Sequence, residues 1–125
     1  MNAVSDLPHV LVVDDNVDAT EVLAMLIESE GFTTATARTL AEGREEVARQ
    51  RPDLIFLDLN LPDGSGMDLL AQLKADPHTA SIQVVLLSGL TNDRLQEQAQ
   101  RLGASAFLFK PLEHHQLTAV LADAR

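Results

Sequence analysis

Four short apolar runs mark the predicted strands of this chain. They are "VLVV" at 10–13, "LIFL" at 54–57, "VVLL" at 84–87 and "FLF" at 107–109. Apolar residues follow one another directly in these runs instead of alternating with polar ones, which is typical of strands that are covered on both faces. A fifth segment, "FTTATA" at 32–37, is β-branched but weakly apolar, and this favours an edge strand.

The segments between these runs have apolar residues at helical spacing. "TLAE" at 39–42 forms a capping box in which the Thr39 hydroxyl and the Glu42 carboxylate would satisfy free amides, and Gly31 suits the end of the first helix. The fourth helix has the narrowest apolar stripe. Five helices are predicted: four from the apolar stripes Val22, Leu23, Leu26 and Ile27; Met67, Leu70, Leu73 and Lys74; Leu95, Ala99 and Leu102; and Leu117, Val120, Leu121 and Ala124; and one, the second, from the capping box at Thr39.

Five strands alternating with five helices predict a doubly wound α/β fold. Right-handed βαβ crossovers would place helices on both faces of a five-stranded parallel sheet, giving a (βα)5 three-layer sandwich. With no repeat, linker or low-complexity tract, we expect one domain over residues 1–125, structured from about residue 8 to residue 124, without an output domain.

Composition narrows the function classes. The chain of 125 residues has no cysteine, which excludes disulfides, thiolate nucleophiles and cysteine-ligated zinc. A net charge of −10 disfavours binding to nucleic acid and to anionic membranes. The apolar runs are too short to span a membrane, and "MNAVSDLPH" does not read as a signal peptide, so we expect a cytoplasmic protein without membrane insertion.

Polar residues stand at the ends of the central predicted strands. Asp14 and Asp15 follow the first strand, Asp58 the third, Ser88 the fourth and Lys110 the last. A single such acid is usually a turn or capping residue, and Ser88 alone could belong to an ordinary turn. Ligands of open α/β sheets bind at the carboxyl ends of the strands, so the combination predicts one functional rim.

The residue types at this rim indicate phosphoryl chemistry. Neighbouring carboxylates repel one another by about 1–4 kcal/mol per pair at the effective dielectric of a protein surface. A hard divalent cation such as Mg²⁺, together with Lys110, would offset this repulsion. A carboxylate beside both cations can attack phosphorus and form an acyl phosphate, whose oxygens the Ser88 hydroxyl could bind.

These segments closely resemble the receiver (CheY-like) domains of two-component response regulators. The resemblance extends over essentially the whole chain and implies the flavodoxin-like strand order 2-1-3-4-5. It rests on the acidic pair in "VVDDN", on Asp58 with the Pro62 and Gly66 spacing in "LIFLDLNLPDGSG", on Ser88 in "LLSG", and on Lys110 followed by Pro111 in "FLFKP".

The resemblance implies a role for each rim residue. Asp58 would be the phosphoacceptor, taking its phosphoryl group from a phosphohistidine of a sensor histidine kinase or a histidine phosphotransfer protein. Mg²⁺, with Mn²⁺ as a substitute, would bind the Asp15 and Asp58 side chains, the backbone carbonyl of Asn60, and Asp14 mostly through water. Lys110 would pair with Asp58 before phosphorylation, and the peptide bond between Lys110 and Pro111 would be cis.

The resemblance also implies a switch formed by Ser88 and Phe107. In the family a hydroxyl residue moves toward the phosphoryl group and an aromatic residue turns inward, which changes the surface of helix four, strand five and helix five. Many members have Thr and Tyr at these positions, so this chain lacks the tyrosine hydroxyl. Simple strand packing remains an open role for Phe107. The output partner is unknown, and we expect a monomer or weak homodimer.

Two other interpretations stay open. A Mg²⁺-dependent phosphatase or phosphotransferase of the haloacid-dehalogenase type also uses a strand-end aspartate, but such enzymes have an acid two residues on, where this chain has Asn60. A receiver fold that no longer accepts phosphate is disfavoured by the complete set of rim residues. Elsewhere, Asp63 and Asp68 are expected to be turn or first-turn helix acids, and Met25 and Met67 core or flank residues.

Overall fold

The computed structural model describes residues 7–89 and 93–124. In chain order, these residues form β1 (His9–Val13), α1 (Val17–Ser29), β2 (Thr33–Ala37), α2 (Leu40–Arg49), β3 (Leu54–Asp58), β4 (Asn60–Leu61), β5 (Gly64–Ser65), α3 (Gly66–Ala75), β6 (Gln83–Ser88), α4 (Asp93–Leu102), β7 (Ala106–Phe109) and α5 (His114–Ala124).

The main sheet has five strands in the order β2-β1-β3-β6-β7. All four neighbouring pairs are parallel, with Leu11 opposite Ile55 and Phe56 opposite Val85 in the centre. The order is the predicted 2-1-3-4-5 once the short strands β4 and β5 are left out. The doubly wound fold and the edge position of "FTTATA" are therefore confirmed.

Alternate residues of the central strands supply two hydrophobic layers. On one face, Leu11, Val13, Ile55 and Leu57 pack with residues of α2, α3 and α4. On the other face, Val10, Val12, Leu54 and Phe56 pack with Ile27 of α1 and with Leu117 and Leu121 of α5. The strands are buried on both sides, which explains why their sequences are continuously apolar.

The predicted ends of the first two helices are present. Thr39 Oγ1 accepts a hydrogen bond from the Glu42 amide at 3.0 Å, and Glu42 Oε1 accepts one from the Arg38 amide at 3.1 Å. Gly31 follows α1 with φ +93°, a conformation that glycine adopts at low steric cost.

The predicted inward stripe of α1 is partly wrong. Val22 and Leu26 are 58% and 40% exposed, and Met25, at 68%, lies on the outer flank. The inward face instead follows Thr20, Leu23 and Ile27 at helical spacing. Thr20 is buried because its hydroxyl donates to the Asn16 carbonyl oxygen at 2.6 Å, so a polar residue takes the place of an apolar one.

A small antiparallel hairpin follows β3 and was not predicted. Asn60 pairs with Ser65 and Leu61 with Gly64, with Pro62 and Asp63 in the turn. Met67, at the start of α3, is in the core. Among the described helices, none combines the length and apolarity needed to cross a membrane.

Candidate phosphorylation and metal site

Three carboxylates meet at the carboxyl ends of β1 and β3. Asp14, Asp15 and Asp58 each place a carboxylate oxygen within 4.8 Å of the others. Asp14 and Asp58 are only 5% and 6% exposed, whereas Asp15 is exposed. The parallel arrangement of β1 beside β3 brings these acids together, as the sequence predicted.

Asp14 is held by donors on both carboxylate oxygens. Its Oδ1 accepts a hydrogen bond from the Asn16 amide at 3.0 Å, and its Oδ2 accepts one from Lys110 Nζ at 3.0 Å. The Asp14 amide donates to the Ala37 carbonyl oxygen at 2.9 Å, which ties this acid to β2 as well. Asp14 is therefore fixed in orientation.

Lys110 bridges the two buried acids. The Lys110 amide donates to the Ser88 carbonyl oxygen at 2.8 Å, and its Nζ lies 3.3 Å from Asp58 Oδ2 as well as 3.0 Å from Asp14 Oδ2. Burial alone would lower the pKa of Lys110, but Asp14 and Asp58 outweigh this effect and raise it. The peptide bond between Lys110 and Pro111 is cis.

Burial raises the pKa of the Asp58 carboxyl above its usual value of 3.8. The ammonium of Lys110 opposes this shift, the charge of Asp14 adds to it, and the Asn60 amide, 3.4 Å from Asp58 Oδ1, opposes it weakly. The positive charge of Lys110 therefore stabilises the ionised form of Asp58 against the effect of burial.

The donor set fits a hard divalent cation. Three carboxylates face one ammonium, so the group retains negative charge, and every side chain in it other than Lys110 offers oxygen. Oxygen donors are what Mg²⁺ prefers, usually with few protein ligands and several waters. Asn60 lies two residues after Asp58, at the start of β4, so its backbone carbonyl is a further oxygen donor in the same loop.

Ser88 and Phe107 lie on β6 and β7. Ser88 ends β6 and is fully buried, next to Phe109 in the register. Phe107 is partly buried, contacts Phe109 edge-to-face at a centroid distance of 5.7 Å, and packs against the core layer on the α4 side. A pocket of about 190 Å³ between α4 and β7 is lined in part by Phe107.

The sequence pattern of the response regulator receiver domain matches residues 10–122. The chain belongs to this family. The sensory transduction protein LytT of Enterococcus faecalis is 36% identical over 93% of this chain and 47% of its own length. This receiver domain spans about half the length or less of the first curated relatives that it matches.

Solved structures similar to this chain include receiver domains and response regulators. A CheY-like receiver domain from Methylobacillus flagellatus is 32% identical, covers 96% of this chain and all of its own, and superposes with a TM-score of 0.86. A response regulator from Burkholderia pseudomallei, solved with a phosphorylated aspartic acid, a calcium ion and citrate, is 26% identical over 94% of this chain and 66% of its own, with a TM-score of 0.82.

Two residues around the site of this receiver domain were missed from the sequence. Asn16 caps α1 through its side chain, which accepts from the Ala19 amide at 3.0 Å, while its own amide orients Asp14. Asp63 lies in a turn, as predicted, but its carboxylate also accepts hydrogen bonds from the start of α2, which the sequence did not predict. Asn before a helical pattern is a local capping signal that could have been recognised, whereas Asp63 has no local signal.

Proposed function

We propose that Asp58 accepts a phosphoryl group from a phosphohistidine in a Mg²⁺-dependent reaction. The observation that carries the proposal is the buried carboxylate of Asp58 at 3.3 Å from Lys110 Nζ, within a group of three acids at one rim of the sheet. A buried acid with both a fixed cation and an oxygen-rich neighbourhood is equipped for nucleophilic attack on phosphorus.

In the proposed step, a carboxylate oxygen of Asp58 forms a bond to phosphorus as the bond from phosphorus to the donor's imidazole nitrogen breaks. The nitrogen keeps the electron pair and takes up a proton. Lys110 would move from pairing with Asp58 to pairing with the transferred phosphoryl oxygens, and the Ser88 hydroxyl would donate to one of them.

The cation would be held by the Asp15 and Asp58 carboxylates and the Asn60 carbonyl. Asp14 would act mostly through water, because its two carboxylate oxygens accept hydrogen bonds at 3.0 Å, shorter than the 3.3 and 3.4 Å contacts on the oxygens of Asp58. When bound, Mg²⁺ or Mn²⁺ neutralises charge on the transferring group. The Burkholderia pseudomallei relative was solved with a phosphorylated aspartic acid and a calcium ion, which supports a phosphoryl-accepting aspartate and a divalent cation in this fold.

The phosphohistidine would approach over α1. The exposed Val22 and Leu26 line a groove of about 640 Å³ that runs to Asp14, Lys110 and Leu112. An apolar surface beside the acceptor suits a helical donor domain of a sensor histidine kinase or histidine phosphotransfer protein.

The output would be a population shift of the surface formed by α4, β7 and α5. Of the α4 residues that the structure describes, only Ala99 is buried, so α4 is shallowly anchored and inexpensive to move. Phosphorylation adds about −1.5 to −2 charges near Ser88, and movement of Ser88 would leave space for Phe107 to turn inward. The shifted surface would control a partner or an attached output domain.

Intact-protein mass spectrometry after incubation with a small phosphodonor and Mg²⁺ tests the proposal. We expect one added phosphoryl group that hydroxylamine releases, as it does from acyl phosphates. Asp58→Asn should abolish the addition, and Asp123→Asn, at an exposed position on α5, should retain it. Modification of Asp58→Asn would overturn the assignment, and steady hydrolysis of a phosphate ester would favour the phosphatase interpretation instead.

A further inference from the structure

The start of α2 is bonded to a residue that lies far away in the sequence. Asp63 Oδ1 accepts a hydrogen bond from the Leu40 amide at 2.8 Å, and Asp63 Oδ2 accepts one from the Ala41 amide at 3.1 Å. The side chain of Thr39, the N-terminal cap of α2, accepts from the Glu42 amide. Two first-turn amides of α2 are thus satisfied from the hairpin of β4 and β5.

The same hairpin also touches α2 through its backbone. A Cβ placed on Gly64 would stand 2.9 Å from Leu40 Cδ1, so the hairpin lies directly on the first residue of α2. The Leu40 amide lowers the pKa of the Asp63 carboxyl and burial opposes it only in part, so the carboxylate stays charged opposite the helix end.

The opposite end of the hairpin carries Asn60, whose backbone carbonyl is a proposed metal ligand. Asn60 opens β4 and pairs with Ser65, and its amide faces Asp58 Oδ1 at 3.4 Å. With two residues in each strand, such a hairpin is marginally stable by itself. Its orientation therefore depends on what it is attached to.

We propose that Asp63 is a positioning residue for the divalent cation: by fastening the hairpin to the start of α2, it holds the Asn60 carbonyl in place for metal binding. The inference rests on the proposed function, which makes that carbonyl a ligand. Without Asp63 the hairpin would have to be ordered when the cation binds, and this cost would appear as weaker affinity.

Asp63 also stabilises α2, and a matched variant separates the two roles. Thr39→Ala removes a different cap from the same helix end and leaves both Asp63 bonds in place. Asp63→Asn is the conservative variant, because its side-chain oxygen can accept from one of the two amides.

Mg²⁺ binding to the unphosphorylated protein is measured by titration calorimetry. We expect Asp63→Ala to weaken Mg²⁺ affinity by about tenfold, the lower end of the effect of partners that orient metal ligands. Thr39→Ala should lower stability in urea unfolding comparably but leave Mg²⁺ affinity unchanged. Asp63→Asn should lie between the wild type and Asp63→Ala, and it also serves if the alanine variant does not fold.

Two further readouts address positioning directly. At saturating Mg²⁺, uptake of phosphoryl from a small donor by Asp63→Ala should return to the wild-type rate. Without metal, amide exchange should become faster at Asn60 as well as at Leu40 and Ala41. Unchanged Mg²⁺ affinity in Asp63→Ala, or an equal loss in Thr39→Ala, would overturn the inference while the wild type still accepts phosphate. Failure of the wild type to accept phosphate would instead count against the proposed function.

Discussion

Gly66 lies directly against the backbone of Asp58. A Cβ placed on Gly66 would stand 2.5 Å from the Asp58 carbonyl oxygen and 3.2 Å from Leu57 Cγ. The Gly66 amide also donates to the Leu59 carbonyl oxygen at 2.8 Å. The first residue of α3 must therefore lack a side chain for α3 to pack behind β3.

Gly66→Ala should destabilise the protein by about 1–3 kcal/mol, the usual cost of forcing a group into a packed site. Because the nearest atom is backbone, relief requires moving Asp58 or α3, so phosphoryl uptake from a small donor should also slow. Gly89→Ala is the control for stability, since a Cβ there meets nothing within 4 Å. Urea unfolding compares the two, and equal stabilities would show that the contact is relieved without cost.

Asp58→Asn should stabilise the folded protein at neutral pH. The raised pKa of Asp58 means that the folded state holds this proton more tightly than the unfolded state, so stability falls as pH rises from 3.8 through the folded-state pKa. Removing the charge beside Asp14 should recover on the order of 1 kcal/mol.

The gain from Asp58→Asn should vanish below pH 3.8, where the aspartate is protonated in both states. Urea unfolding at neutral pH and at a pH below 3.8 measures this gain in stability. The control is Glu45→Gln, at an exposed position on α2, whose stability should stay within about 0.5 kcal/mol of the wild type. A destabilised Asp58→Asn at neutral pH would mean that the ion pair with Lys110 outweighs burial.

Lys110→Met should move the ionisation of Asp58 to higher pH. The variant removes the positive charge that opposes the raised pKa and leaves Asp14 facing Asp58. The acid side of the pH profile for phosphoryl uptake should shift upward with it, and stability should fall by about 1–3 kcal/mol. Lys74→Met is the control, because Lys74 holds the Ala80 and Ile82 carbonyl oxygens and not the site. An equal shift in both variants would contradict the argument.

Leu26→Ser should impair transfer from a protein donor alone. Leu26 is 40% exposed and lines the groove beside the site, but it lies outside the acidic group. We expect slower transfer from a histidine kinase that phosphorylates the wild type, and unchanged uptake from a small phosphodonor. The matched change Leu7→Ser is exposed to a similar extent and lies outside that groove. If the kinase phosphorylated Leu26→Ser and the wild type at equal rates, this groove would not be part of the surface that binds the kinase.

Several site residues were predictable because the fold brings strand ends together. Asp14, Asp58 and Lys110 each follow an apolar run, and parallel strands align those ends at one rim. The pairing of Lys110 with Asp14, closer than with Asp58, was not predictable, because it depends on side-chain directions at the rim.

Other features depend on contacts without a local pattern. Asp63 reads as a turn acid, and its bonds to Leu40 and Ala41 exist only because the hairpin lies on α2. On α1, apolar residues occupy two adjacent faces, so periodicity alone could not decide that Ile27 faces the core and Val22 does not.

His9 should make the stability of the fold sensitive to acid. It is 6% exposed at the start of β1, with Nδ1 2.7 Å from Thr33 Oγ1 and its amide bonded to Asp53. Burial lowers its pKa below 6.5, and the nearby charge of Asp53 opposes this only in part. Between the lowered value and 6.5 the unfolded chain binds a proton that the folded chain does not, so stability is full above pH 6.5 and falls as pH drops.

His9→Gln should make the free energy of unfolding depend less on pH below 6.5, because the glutamine side chain does not titrate. Urea unfolding at a series of pH values on either side of 6.5 measures the slope for each variant. His78→Gln, at an exposed position in the loop after α3, should keep the wild-type slope. If His9→Gln kept that slope as well, the acid sensitivity would have to arise from other groups, and burial at the start of β1 would not control it.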